Sequence, residues 1–225
     1  MSRILRVAAG LLLTLTVPVA IVAMVVSLLA TGPLVRLAYA RPGFPSPVGM
    51  SAEVRARLAV DTTSYVAGRA DRGSLEALRL PDDRPLYATG EVEHLADVRR
   101  LIGALRLAGL AAGLMLVAAW VGPWRAWAAV PTARGGWLSL GAVALLGLGI
   151  AVAWSWLFTT FHELLFPPGT WQFSADSGLI RLFPGPFWSD AAIALAGGTA
   201  LLGWLLARMA TRVAGPRRAM GRGSR

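Results

Sequence analysis

Residues 137–161 read WLSLGAVALLGLGIAVAWSWLFTTF, 25 positions without one Asp, Glu, Lys or Arg. At about 1.5 Å of rise per residue, a helix of this length crosses the roughly 30 Å hydrocarbon core of a bilayer. Its last third carries Trp154, Trp156, Phe158 and Phe161, rings of the kind that gather where membrane meets water. The polar stretch that follows, 162–190, is the densest cluster of aromatic, proline and polar residues in the chain. It opens on His162, one of only two histidines.

Working outward, three more apolar runs stand out: Val7–Ala30, Leu101–Val121 and Ala191–Ala207. The expected fold is an all-α membrane protein of four transmembrane helices with a small extracytoplasmic cap of short helices and a β-hairpin. In chain order the segments are transmembrane helix 1 (1–30), a cap loop (31–100), helix 2 (101–121), a cytoplasmic loop (122–136), helix 3 (137–161), an outer loop (162–190), helix 4 (191–207) and a basic cytoplasmic tail (208–225). Composition agrees, since 56% of the 225 residues are hydrophobic and only 15% are charged.

All 22 basic residues are arginine, the net charge is +10, and there is no cysteine. Disulfide and thiolate chemistry are therefore excluded. Segments 1–6, 122–136 and 208–225 hold ten Arg and no acid; segments 31–100 and 162–190 hold eleven Arg and all twelve acids. By the positive-inside rule, both termini and the 122–136 loop face the cytoplasm and both polar segments face outward. Anionic lipid headgroups explain the basic side better than nucleic acid does, so no nucleic-acid partner is expected.

Residues 1–30 also invite comparison with a signal peptide, because Ala38-Tyr39-Ala40 has the small-x-small form of a cleavage site. The apolar run is twice the usual length and ends well before that site, which favours a retained helix. In the 31–100 segment, the prolines and glycines of residues 39–50 bar a helix. Ser51 is placed to cap a helix through Val60, a second short helix is predicted over Ser74–Leu80, and Asp82-Asp83-Arg84-Pro85 reads as a turn. From Thr89 a helix begins and continues into the second span, with Glu91 and Glu93 in its first turn, where the helix dipole favours acids. Positions 94, 97, 98 and 101 share a face, so Asp97 is placed to orient His94. Thr170–Phe173 and Leu179–Phe183 alternate like the two strands of a hairpin. The tail from Arg208 onward is read as disordered.

No phosphate-binding glycine loop, nucleophile elbow or metal-ligand spacing is present, and no cofactor is expected. Two histidines fall short of the three protein ligands that catalytic zinc generally takes; a His–carboxylate metal site is the minority reading. By elimination His94 and His162 are the candidate bases, with Asp97 and Glu163 the acids near them in sequence. The competing reading is that both merely hydrogen-bond at an interface. Arg100, Arg106 and Arg181 are the cations placed to meet an oxyanion or a lipid phosphate; Arg106, inside an apolar span, also has the option of snorkelling outward. Tyr65, Tyr87 and Trp171 can donate hydrogen bonds, or simply pack.

Three stretches carry a resemblance: Arg41-Pro-Gly-Phe-Pro with Gly49; Glu91-Val-Glu-His94-Leu-Ala-Asp97-Val98; and Phe161-His162-Glu163 through Trp171-Gln-Phe and Asp176 to Leu179-Ile-Arg181-Leu-Phe-Pro184. With them the chain resembles the bacterial lipoprotein intramolecular transacylases and related four-span membrane proteins. The resemblance implies a bacterial cytoplasmic-membrane enzyme acting on a diacylglyceryl lipoprotein. Such an enzyme moves the sn-2 acyl chain to the α-amino group of the N-terminal Cys, leaving a lyso-form lipoprotein. It implies His94 and His162 as catalytic residues; in our reading of the residues His162 is the base and His94, held by Asp97, assists, or the reverse. Asp97, Glu91, Glu163 and Arg181 would support them; Arg100, Arg106, Trp171 and Tyr65 would bind substrate. A lipid-directed hydrolase using the same pair, and a non-catalytic scaffold that binds lipoproteins, are the alternatives.

Overall fold

The structure, a computed structural model, describes residues 2–46 and 49–214. Four of its helices are long and apolar enough to cross a membrane: α1 (Arg3–Leu29), α5 (Thr89–Val121), α6 (Arg125–Leu165) and α8 (Gly185–Ala214). The short helices α2 (Gly32–Ala40), α3 (Ala52–Val66), α4 (Arg72–Glu76) and α7 (Gly178–Leu182) lie between them in the chain. Large apolar residues such as Leu12, Leu110, Leu145, Val152 and Leu201 face outward. A surface this apolar suits hydrocarbon rather than water.

Helix α1 is the hub, packing against α5, α6 and α8. Leu13, Val17, Ile21 and Val25 recur every four residues and are all buried, so they form one stripe along a single face. In lipid, helices associate through close backbone approach rather than through the hydrophobic effect. Accordingly a Cβ built on Gly136 of α6 would sit 2.5 Å from the Gly203 carbonyl oxygen of α8. Pro18 inside α1 has no N–H to offer the carbonyl of Thr14. Gly135 closes over that carbonyl, and a side chain there would lie 2.6 Å from the oxygen.

The cap has its own core, in which Val35, Leu58, Leu75, Leu95, Leu179 and Leu182 are buried together. Helix α3 begins where expected, with Ser51 Oγ accepting from Val54 N at 3.2 Å. Arg55 on α3 is 4% exposed: its guanidinium lies 4.5 Å from the Tyr39 ring and 5.0 Å from the Phe44 ring and donates to the Pro45 carbonyl at 2.7 Å. That buried cation fastens the Arg41–Pro45 turn onto the cap, and nothing in the sequence marked it.

Several expectations are corrected. The β-hairpin of residues 170–183 is absent, and no strand occurs among the described residues. Leu179–Leu182 belongs instead to α7, because Ser177 Oγ accepts from Ile180 N and Glu91 Oε1 accepts from Leu179 N; side chains occupy the donors a partner strand would need. Segment 122–136 is not a loop beyond Gly122–Trp124: the Trp124 carbonyl accepts from Trp127 N and Ala128 N, and α6 starts at once. Gly32–Ala40 is helical, with a proline in its first turn, so Tyr39 ends a helix rather than lying in an extended run. The Ser74–Leu80 helix is shorter and earlier, since Asp71 rather than Ser74 captures the first amide; Leu80 and Leu86 then pair with Arg84 and Leu78 across the expected Asp82–Pro85 turn. Residues 185–190 and 208–214 extend the fourth long helix at its two ends. The remainder of the basic tail lies outside the described residues.

The expected third span is interrupted. Ala153 has non-helical backbone angles (φ −143°, ψ 43°), so α6 is two helices joined by a kink. Leu157, past the kink, packs back against Gly149 at 3.7 Å from where a Cβ would be. The segment bearing His162 therefore has a direction of its own.

Candidate active site

The first turns of α5 carry one half of the site. At about 1.5 Å per residue its 33 residues reach about 50 Å, well beyond the hydrocarbon thickness, and the turns before Leu101 belong to the cap. Glu91, 4% exposed, accepts from Ala88 N at 2.9 Å and from Leu179 N at 2.7 Å. One carboxylate thus starts α5 and ties it to α7. Gly178 makes the same junction close, since a Cβ there would fall 2.0 Å from the Leu86 carbonyl oxygen. One turn along from Glu91 stands His94.

The second half follows the kink of α6. His162 lies in the last turn of that helix, and its carbonyl accepts from Phe166 N at 2.9 Å. The chain then turns through Pro167–Thr170 and returns past His162 with Trp171 and Phe173.

These two segments bring His94 and His162 together. Their ring centroids are 6.3 Å apart with 26° between planes. Rings in van der Waals contact would stand about 3.5–4 Å apart, so the two are not in face contact, yet they are close enough for both to reach one small reacting group. Aromatic rings wall the pair: Phe166 is 4.8 Å and Phe173 5.5 Å from His94, while Phe158 is 4.1 Å and Trp171 4.9 Å from His162.

The Nδ1 of His162 lies 2.7 Å from the Phe158 carbonyl oxygen. A carbonyl only accepts, so the proton of the neutral ring sits on Nδ1 and the lone pair on Nε2. His94 is only 6% exposed and its Nδ1 makes no hydrogen bond. Burial pushes its pKa well below the ordinary imidazole range, the neighbouring His162 adds to this, and Asp97 opposes it weakly. His94 is held neutral.

Not every expected residue joins them. Asp97 pairs with Arg100 rather than orienting His94. Glu163 is exposed. Arg100 faces out with its side chain 77% exposed. Arg106 donates to Ser27 Oγ at 3.2 Å and to the Ala67 carbonyl, fastening α5 to α1 and to the end of α3. Tyr65 is buried under Arg99, whose guanidinium lies 4.9 Å from its ring. Tyr87 bonds Thr62 Oγ1 at 2.7 Å in the cap core. Arg181 rests against Gly49, where a Cβ would be 2.9 Å from its Nη2. Trp171 is at the site, and Glu91 supports it from below. Phe166, Phe173 and the Phe158 carbonyl were missed as individual residues, although the aromatic density of 158–173 was their signal. Among the described residues no three His, Asp or Glu side chains gather as a metal site.

Comparison with known proteins decides the lineage. The sequence model of the family described as lipoprotein intramolecular transacylase Lit matches residues 11–188, well over half of the chain. The chain belongs to the Lit family. Its fold agrees: the in meso structure of the membrane-integral Lit from Bacillus cereus superposes with a TM-score of 0.73 over 94% of this chain and 97% of that one, at 17% identity. Two Lit structures from the same organism, each with one histidine replaced, by Arg in one and Ala in the other, superpose with a TM-score of 0.70 over 93% of this chain. A protein of Aquifex aeolicus (strain VF5) is 26% identical over 200 residues, covering 83% of this chain and 84% of its own length. This Lit-family member is therefore a multi-pass membrane protein with the lipoprotein transacylase fold.

Proposed function

We propose that the chain transfers an acyl group from oxygen to nitrogen within one diacylglyceryl lipoprotein molecule, moving the sn-2 chain to the α-amino group of the N-terminal Cys. The observation that carries this reading is the facing pair of imidazoles, one with its tautomer fixed so that Nε2 can accept a proton. Family membership supports the substrate class, and the asymmetry of the arginines supports a site on the extracytoplasmic side of the inner membrane with both termini in the cytoplasm.

The chemistry asks for what these residues offer. An ester becomes an amide, a downhill exchange that needs no nucleotide. With an α-amino pKa near 8, part of the substrate amine is neutral; it attacks and passes one N–H proton to His162 Nε2 as the C–N bond forms. The carbonyl π electrons move onto oxygen, and the neutral His94 supplies an N–H donor beside the developing charge. Collapse re-forms the carbonyl, breaks the bond to the sn-2 oxygen, and returns the proton from His162 to that oxygen as the free hydroxyl. Holding amine and ester of one molecule within reach of both rings makes the step unimolecular, which is worth several powers of ten in rate.

Purified protein incubated with a diacylated lipopeptide tests this. The product has unchanged mass but fragments as an N-acyl, mono-O-acyl peptide. Release of free fatty acid would replace the proposal with a hydrolase, and an unaltered substrate with a non-catalytic role.

A further inference from the structure

Three indoles of this chain can be compared. Trp120 Nε1 donates to Thr132 Oγ1 at 3.1 Å and Trp188 Nε1 donates to the Phe183 carbonyl at 3.0 Å. Trp171 is half-buried, but its Nε1 is buried and has no acceptor. A buried N–H without a partner is rare in folded proteins and asks for an explanation.

Its place supplies one. The Trp171 ring lies 4.9 Å from the His162 ring at 33°, and its edge meets Phe158 at 6.5 Å. The backbone leading to it is stiff. Pro167-Pro168-Gly169-Thr170 is a turn closed by Thr170 N donating to the Pro167 carbonyl at 3.3 Å, with Gly169 at φ +78°, the value that such a turn demands of its third residue. Thr170 Oγ1 adds a bond to the same carbonyl at 2.8 Å. Two prolines, a positive-φ glycine and a hydroxyl hold an unsatisfied donor beside the base.

We infer that the Trp171 indole N–H donates to the ester carbonyl oxygen of the bound substrate, and holds the oxyanion when the amine adds. The inference rests on the transacylase reading above and deepens it. As the C–N bond forms, the carbonyl electron pair passes to oxygen and the amine proton to His162. The indole proton is shared with the oxyanion but never transferred, and it is released when the C–O bond to the glyceryl oxygen breaks. Trp171 then holds the oxyanion beside His162, which serves first as base and then as acid. A donor aimed at charge that exists only in the transition state raises kcat rather than tightening binding.

The test compares the purified full chain with Trp171→Phe and with a chain carrying 3-benzothienylalanine at 171, which keeps the bicyclic shape and replaces N–H by sulfur. The probe is a synthetic diacylated lipopeptide in detergent. Both variants are expected to lose kcat by about 10²–10³-fold with KM changed less than about twofold, and to melt no lower than wild type. A benzothienylalanine chain with kcat within about threefold of wild type overturns the inference, as does a loss confined to KM. If wild type itself yields no N-acyl product, the transacylase reading fails and takes this inference with it; if wild type is active and the sulfur analogue is too, only the inference fails.

Discussion

The Nδ1 of His162 lies 2.7 Å from the carbonyl oxygen of Phe158, one helical turn back, and donates its proton to it. That bond makes the two histidines unequal, because only His162 has its tautomer set by the backbone. His162→Ala and His94→Ala are each expected to reduce formation of the N-acyl product by about 10²–10⁴-fold at unchanged membrane levels. Mass spectrometry of N-terminal lipopeptides reads the result. Undiminished product in either variant removes that residue from the mechanism.

The pKa of His94 is depressed by burial, so the folded state prefers its neutral ring. Below the ordinary histidine pKa of about 6.5 the unfolded chain binds a proton that the folded chain refuses, and stability falls with falling pH across that window. Thermal unfolding in detergent should therefore show a larger drop between pH 7 and pH 5 for wild type than for His94→Phe, which fills the same aromatic niche without a titrating group. Equal drops would contradict a neutral, buried His94.

Glu91 satisfies two backbone donors from segments far apart in the chain. Replacing it by Ala strands the buried Leu179 donor, which costs about 1–3 kcal/mol, and leaves the part-buried Ala88 donor to solvent. Glu91→Gln keeps one acceptor oxygen and should fall between wild type and Glu91→Ala in melting temperature. Activity should follow the same order, because α7 and the aromatic wall shift with the lost bonds.

Glycines of the cap give a contrast. Gly178→Ala puts a methyl 2.0 Å from the Leu86 carbonyl oxygen, whereas at Gly90 on the first turn of α5 nothing lies within 4 Å. The first is expected to unfold the cap. The second should be neutral or raise the melting temperature slightly, since alanine suits a helix better than glycine.

Arg106 bears on a different question, whether a charge inside an apolar run binds lipid or holds helices. It bonds Ser27 and the Ala67 carbonyl, so Arg106→Met should lower thermal stability while leaving KM for a lipopeptide within about twofold. A raised KM at unchanged stability would assign it to substrate instead.

The long helices were legible because lipid imposes one rule on any crossing segment, and Trp137–Phe161 obeys it in composition alone. The same logic put both polar segments on one side of four spans, where His94 and His162 could meet; that they act as a pair came from the family resemblance. What could not be read was how backbone donors are satisfied locally. The residues alternate at 179–183 as a strand would, yet Ser177 and Glu91 take the donors a strand would have used. Asp97 has the right spacing for His94, but an exposed Arg100 three residues on claims it first. The kink at Ala153 has no proline to announce it. Arg55 looks like any surface arginine until Tyr39 and Phe44 close over it.

The bond from Glu91 to Leu179 spans 88 positions of sequence. During synthesis the first three apolar helices are made before its donor exists, and until then the carboxylate has only the amide of Ala88 to hold. A nascent chain halted short of residue 179 would carry both imidazoles and still lack the bond that ties the start of α5 to α7. On the proposed function, the active arrangement is thus a late event of biogenesis, completed when the last polar segment emerges and docks.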